Sequence, residues 1–278
     1  DFCASLNFRS QTVTHLIKTT LPVSFQLGIM ATVLAVIMGI PLGEVLAGPK
    51  NMGIRKDLRL KYGMEKPDSL DDLEKYLSLP NEPAQVDLGP AIEVYDLLGD
   101  RGLAYLHYED PMYAVAQLFD AQEFYIRCAT QCARIVELIE REFVRARAEM
   151  TQMLAQAEDR DFLFYSAGVE VATPPMLSPA AFAELVTPYE SALVRMIRDA
   201  GHLSAIHCHG RVGRVLDQFL EIGVQALEPI EPPPQGDIAL EDALRAVEGR
   251  LCLMGYIQDQ DLYLAEPGEM RAKVHAIR

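Results

Sequence analysis

Beyond residue 100 the apolar positions follow two alternating rhythms. Short apolar runs of strand length stand at 103–108, 162–165, 203–208, 224–228 and 251–257. Between them, apolar residues recur at helical spacing, as along Phe182, Leu185, Tyr189, Leu193 and Met196. This predicts helices over 123–158, from Ser178 to Gly201, over 212–221 and over Leu240–Val247. Ser178-Pro179 has the form of a helix start, serine as N-cap and proline in the first turn, and Gly201 is the stop. Alternating strands and helices predict right-handed βαβ units and a parallel sheet.

The front of the chain breaks this pattern. Residues 19–43 form 25 positions without a charge, enough for a bilayer-spanning helix of about 20 apolar residues. The run is too long for a signal-peptide core. Pro22 and Pro41 fall near its ends, where proline is tolerated. Lys50, Arg55, Lys56, Arg59 and Lys61 follow it, which by the positive-inside rule places that flank on the cytoplasmic side. The expectation is a cytoplasmic domain at the inner face of a membrane, anchored through 19–43.

Charge sharpens the boundary. The chain carries a net −15 over 278 residues. Residues 1–50 contribute +1, so the remainder carries −16. The predicted units are therefore 1–49 and 50–278. Such acidity excludes a nucleic-acid binder, which needs a basic face. Five cysteines, Cys3, Cys128, Cys132, Cys208 and Cys252, are scattered without disulfide spacing, as in a reducing compartment.

In parallel α/β folds, chemistry collects where strands end. Glu170 follows the strand at 162–165, and His207 and His209 close the next. Glu228 and Glu231 follow the strand at 224–228, and Tyr256, Gln258 and Asp259 the last. Side chains alternate along a strand, so His207 and His209 share a face and Cys208 takes the other. Two imidazoles on one face form the start of a metal site, which Glu231 or Glu228 can complete. A hydrogen-bonded histidine pair without metal has the same spacing. Pro232-Pro233-Pro234 predicts an extended loop, and Asp237 suits a cap or turn as well as a ligand contact.

Two resemblances add to this reading. TLPVSFQLG and GIPLG, within the first 48 residues, resemble the early transmembrane region of oligopeptide/dipeptide ABC-transporter permeases. One span cannot form a translocation path, so that segment reads as an anchor or fusion relic. From about 60 to 278, the pieces MLSPAAFAELVTPYESALVRMIRDAG, AIHCHGRVGRVLDQFLEIGVQALEPIEPPPQGD and LCLMGYI resemble the uroporphyrinogen decarboxylase superfamily. The superfamily includes porphyrinogen decarboxylases and zinc-dependent methyltransferases that pass methyl groups from corrinoid carriers to thiols.

The resemblance implies a TIM-type (β/α)8 barrel with its site at the C-terminal face. Five strands are legible of the eight a barrel needs. The expectation is thus an α/β chain, a partial TIM-type barrel lacking its first and last strands, truncated and preceded by one hydrophobic, membrane-spanning helix. The methyltransferases carry a His-x-Cys-Gly motif, so the resemblance makes His207 the family's histidine ligand and puts His209 in place of its cysteine. The arginine-rich Met-Arg-Gln-Ala-Gly-Arg type of motif found in the decarboxylases is absent from this sequence.

The resulting expectation is zinc-assisted methyl or one-carbon transfer, with a small-molecule substrate and a corrinoid carrier protein as partner. His207, His209 and Glu231 are the metal ligands, and Glu170, Glu228 and Tyr256 the catalytic residues. The alternatives are metal-free decarboxylation of a porphyrinogen carboxylate and a membrane-anchored, inactive fusion remnant.

Overall fold

The structure, a computed structural model, describes residues 78–277, all within the unit Asn51–Arg278. The predicted membrane span and the permease-like segment lie outside the described residues. Among those described, no helix is long and apolar enough to cross a membrane.

All five predicted strands form. They are β1 (Tyr105–Glu109), β2 (Leu163–Ala167), β3 (Leu203–His207), β4 (Ala226–Ile230) and β5 (Cys252–Gly255). They pair in sequence order, every pair parallel. That order is the one an arc of a TIM-type barrel has.

Helix α1 (Gly89–Leu98) precedes β1. Helices α2 (Pro111–Ala116), α3 (Ala121–Thr130) and α4 (Cys132–Ala157) join β1 to β2. Next come α5 (Pro179–Leu185) and α6 (Thr187–Asp199), then α7 (Leu216–Ile222) and α8 (Leu240–Val247). After β5 follow α9 (Asp259–Leu264) and α10 (Pro267–Ile277).

The pleat divides the strand residues into two sets. Leu106, Tyr108, Phe164, Ser166, Ser204, Ile206 and Leu227 are buried. Part of this set packs with Met150, Met153, Leu193 and Ile197 of α4 and α6. Tyr105, His107, Tyr165, His207 and Glu228 alternate onto the opposite face and keep contact with solvent. This half-open face carries the polar chemistry.

Several boundaries depart from the sequence pattern for local reasons. Ser178 does cap α5, its hydroxyl accepting from Ala181 N at 3.1 Å. The expected single helix nevertheless breaks, and α6 restarts with Pro188 in its first turn. A proline has no N–H for the carbonyl four residues back and clashes with it. The long helix divides likewise at Gln131, between α3 and α4. Strand β4 lies two residues later than expected, at Ala226–Ile230, so Glu228 is mid-strand instead of at its end. Pro229 then sits inside the strand, and β4–β5 pairing is irregular between Leu227 and Ile230. Residues 233–235 form a turn, not the extended loop that three prolines suggested.

An extended strap ahead of β1 is clamped onto α4. Ala84 N donates to Glu149 Oε1 at 2.7 Å, Val86 N to Gln152 Oε1 at 3.1 Å and Leu88 N to Gln156 Oε1 at 3.0 Å. The two glutamines return the pattern, Nε2 of Gln152 donating to Ala84 O and that of Gln156 to Val86 O. One helix face thus reads alternate backbone positions as a neighbouring strand would. Gln152→Ala removes two of these bonds and should cost about 1–3 kcal/mol. The urea midpoint measures the cost, and proteolysis within 84–88 should accelerate.

Candidate active site

The site is built at the C-terminal ends of β3 and β4. Parallel pairing puts His207 directly opposite Glu228. His207 Nδ1 lies 2.9 Å from Glu228 Oε1. Two residues on from His207 and three on from Glu228, a similar pair forms: His209 Nδ1 lies 3.2 Å from Glu231 Oε2. The two imidazoles stand edge to face with ring centroids 4.6 Å apart. The structure therefore brings His207, His209, Glu228 and Glu231 together.

Cys208 points the other way, as strand alternation requires. It is fully buried, with Sγ 3.1 Å from Thr173 Oγ1. Burial pushes its thiol up to about 12, so it is a neutral core side chain. The four cysteines among the described residues are all free.

Two glycines shape the loops that carry the second pair. Gly210 has φ +105°, and a Cβ there would stand 3.0 Å from Pro174 O. Only glycine adopts that turn without strain, and its N–H donates to Glu231 Oε2 at 3.3 Å. A Cβ on Gly236 would fall 1.9 Å from Glu231 O, so the chain doubles back tightly on Glu231. Asp237 ties the same loop to the turn after β3, accepting from Gly213 N at 2.8 Å.

A third side chain meets Glu228. The Tyr165 hydroxyl, from β2, donates to Glu228 Oε1, the oxygen that His207 also contacts. Burial tends to raise the Glu228 pKa. Hydrogen bonds from Tyr165 and His207, and the charges of His207 and His209, outweigh it and hold the carboxyl below its usual value. Tyr165 moves upward, through burial and through Glu228, and stays a hydroxyl donor. Sequence spacing gave little sign of this contact, which spans 63 residues.

Glu170 sits in the short turn after β2, where Oε2 accepts from Gly168 N at 2.9 Å. Its charge contributes to raising the pKa of both Tyr165 and Cys208. Tyr256 is placed differently. Its hydroxyl accepts from Leu240 N at 3.1 Å, at the start of α8, and its side chain packs against the main core. Glu231 faces His209 Nδ1. Among the described residues, no three His, Cys, Asp or Glu side chains are gathered in a form that could hold a metal ion.

The sequence comparison decides the family. The model for Uroporphyrinogen decarboxylase (URO-D) matches residues 138–278. The chain belongs to the URO-D family. The matched stretch runs from within α4 through β2, β3, β4 and β5, so it contains every site residue named above. Among solved structures, a methyltransferase from Methanosarcina mazei shares the URO-D chain's fold with a TM-score of 0.57. The identity is 15%, over 88% of this chain and 80% of that one. No curated protein sequence matches the chain.

Proposed function

We propose that this URO-D-family chain is an enzyme of zinc-assisted methyl or one-carbon transfer to a thiol, with the corrinoid held by a partner protein. One observation carries the reading. Two adjacent histidines each present Nδ1 to their own carboxylate, at 2.9 and 3.2 Å, which leaves Nε2 of each as a donor. A carboxylate behind Nδ1 fixes the tautomer and the ring orientation, as in most histidine metal sites.

His207 and His209 are the two residues that would hold zinc, with a thiol substrate as a further ligand. Zinc would supply Lewis acidity that keeps such a thiol as thiolate near neutral pH. Glu228 and Glu231 orient the imidazoles, and Tyr165 secures Glu228. Glu170, in the turn after β2, is placed to orient the substrate. Cys208, buried and protonated, plays no part in holding the metal.

The acidic surroundings argue against a polycarboxylate substrate. Glu170, Glu228 and Glu231 would repel it. The fold shared with a methyltransferase agrees with the proposal without deciding it.

The test is demethylation of free methylcobalamin by the zinc-loaded protein with a small thiol, followed by cobalamin absorbance. Turnover should require zinc and fall to background in His207→Ala/His209→Ala. Equal turnover in that variant, or metal-free decarboxylation of uroporphyrinogen, would overturn the reading.

A further inference from the structure

Glu228 is held from two sides at one atom. Tyr165 reaches it from β2 and His207 from β3, both at Oε1. The glutamate itself is only partly enclosed, its side chain retaining 29% of its exposure. An exposed glutamate on a strand has rotamers that lead into solvent. Among the described residues, Tyr165 and His207 are the side chains that hold this carboxylate, and the Tyr165 ring is itself anchored. It packs against Tyr105 at 5.3 Å and against His207 at 6.2 Å, centroid to centroid.

We infer that Tyr165 is a positioning residue, whose hydroxyl pins the Glu228 carboxylate so that His207 keeps one ring orientation and offers Nε2 to the site. The inference rests on the proposed role of His207 as a ligand and extends it to a third strand. Tyr165 touches neither metal nor substrate. It acts through Glu228, so its effect must disappear when Glu228 can no longer act.

The experiment is a double-mutant cycle on the full chain with Tyr165→Phe, Glu228→Gln and the double variant. Zinc affinity is read by competition with a chromogenic chelator. Ring 15N chemical shifts of His207 are read in metal-free protein. Tyr165→Phe keeps the ring and should weaken zinc binding about tenfold, the usual effect of losing an outer partner. The double variant should bind no more weakly than Glu228→Gln alone. In metal-free protein, the His207 signal should change from one tautomer, protonated at Nδ1, to an average of two.

Additive losses, or a Tyr165→Phe variant with wild-type affinity and tautomer, would overturn the inference. If the wild-type chain takes up no zinc, the methyl-transfer reading fails, and the tautomer signal alone decides the role of Tyr165. Far-UV circular dichroism and urea midpoints identify any variant that fails to fold, and Tyr165→Leu, which loses ring and hydroxyl together, then separates packing from positioning.

Discussion

Replacing Arg145 with alanine should destabilise the protein by about 3–5 kcal/mol, the cost of leaving buried carboxylates without their cation. Arg145, on α4, is 5% exposed. It contacts Glu142 at 2.8 Å, Glu149 at 3.0 Å and Glu109 at 3.1 Å. Glu142 is itself 4% exposed, so it cannot turn to water when the guanidinium is lost. Burial alone would lower the Arg145 pKa, but the three carboxylates raise it further. The cation is therefore permanent.

The contact with Glu109 also ties α4 to the end of β1, on the rim where the site opens. Arg145→Ala should lower the urea midpoint steeply, and Arg145→Lys should recover only part of the loss, because a compact ammonium lacks the fork whose three nitrogens each reach a different carboxylate. A midpoint for Arg145→Ala within experimental error of wild type would contradict the role of the network.

Asp110→Asn should do the opposite and stabilise the protein above about pH 5. Asp110 is fully buried at the start of α2, where its side chain caps Tyr113 N at 2.6 Å. Its side chain also meets the Glu190 carboxyl. Glu190, from α6, is also fully buried and accepts from the Tyr108 hydroxyl at 2.8 Å and the Ser166 hydroxyl at 3.4 Å. Burial pushes Asp110 well above the carboxylate range, and the nearby Glu190 pushes it further. Burial raises Glu190 too, while its hydrogen bonds resist the rise. Asp110 is raised the more strongly of the two, which favours Glu190 as the charged partner.

The sign of the pH dependence follows. As pH rises past about 4, Asp110 in the unfolded chain releases its proton while the folded chain keeps it. Stability therefore declines until the pH passes the raised folded-state pKa. Asparagine needs no proton and still caps α2 as well as aspartate. The variant should gain about 1–3 kcal/mol near pH 8 and show a flatter stability curve. An Asp110→Asn variant less stable than wild type at pH 8, with an unchanged slope, would mean that Asp110 is ionised.

These buried clusters were the least legible part of the sequence. Asp110 and Pro111 start α2 as N-cap and first-turn proline, but nothing nearby announces Glu190 as a partner. Tyr108 and Glu190 meet across 82 residues, beyond the reach of any local pattern. Tyr165 and Glu228 were hidden for a second reason. Strand β4 runs to Ile230, two residues past the expected end, so Glu228 stands mid-strand, level with His207.

Local signals fared better. All five strands and the Ser178 cap follow from periodicity and capping, because both are set within a few residues. The facing of His207 and His209 follows from the pleat alone. Tyr256 shows the limit of reading strand ends as chemistry. It stands at one, yet its hydroxyl receives the Leu240 N–H.

The most direct measurement is zinc content by elemental analysis of the purified full-length chain, beside His207→Ala/His209→Ala. The account predicts close to one zinc per chain in the wild type and almost none in a folded double variant. A folded wild-type chain without zinc after incubation with the ion, or a variant that retains it, would contradict it.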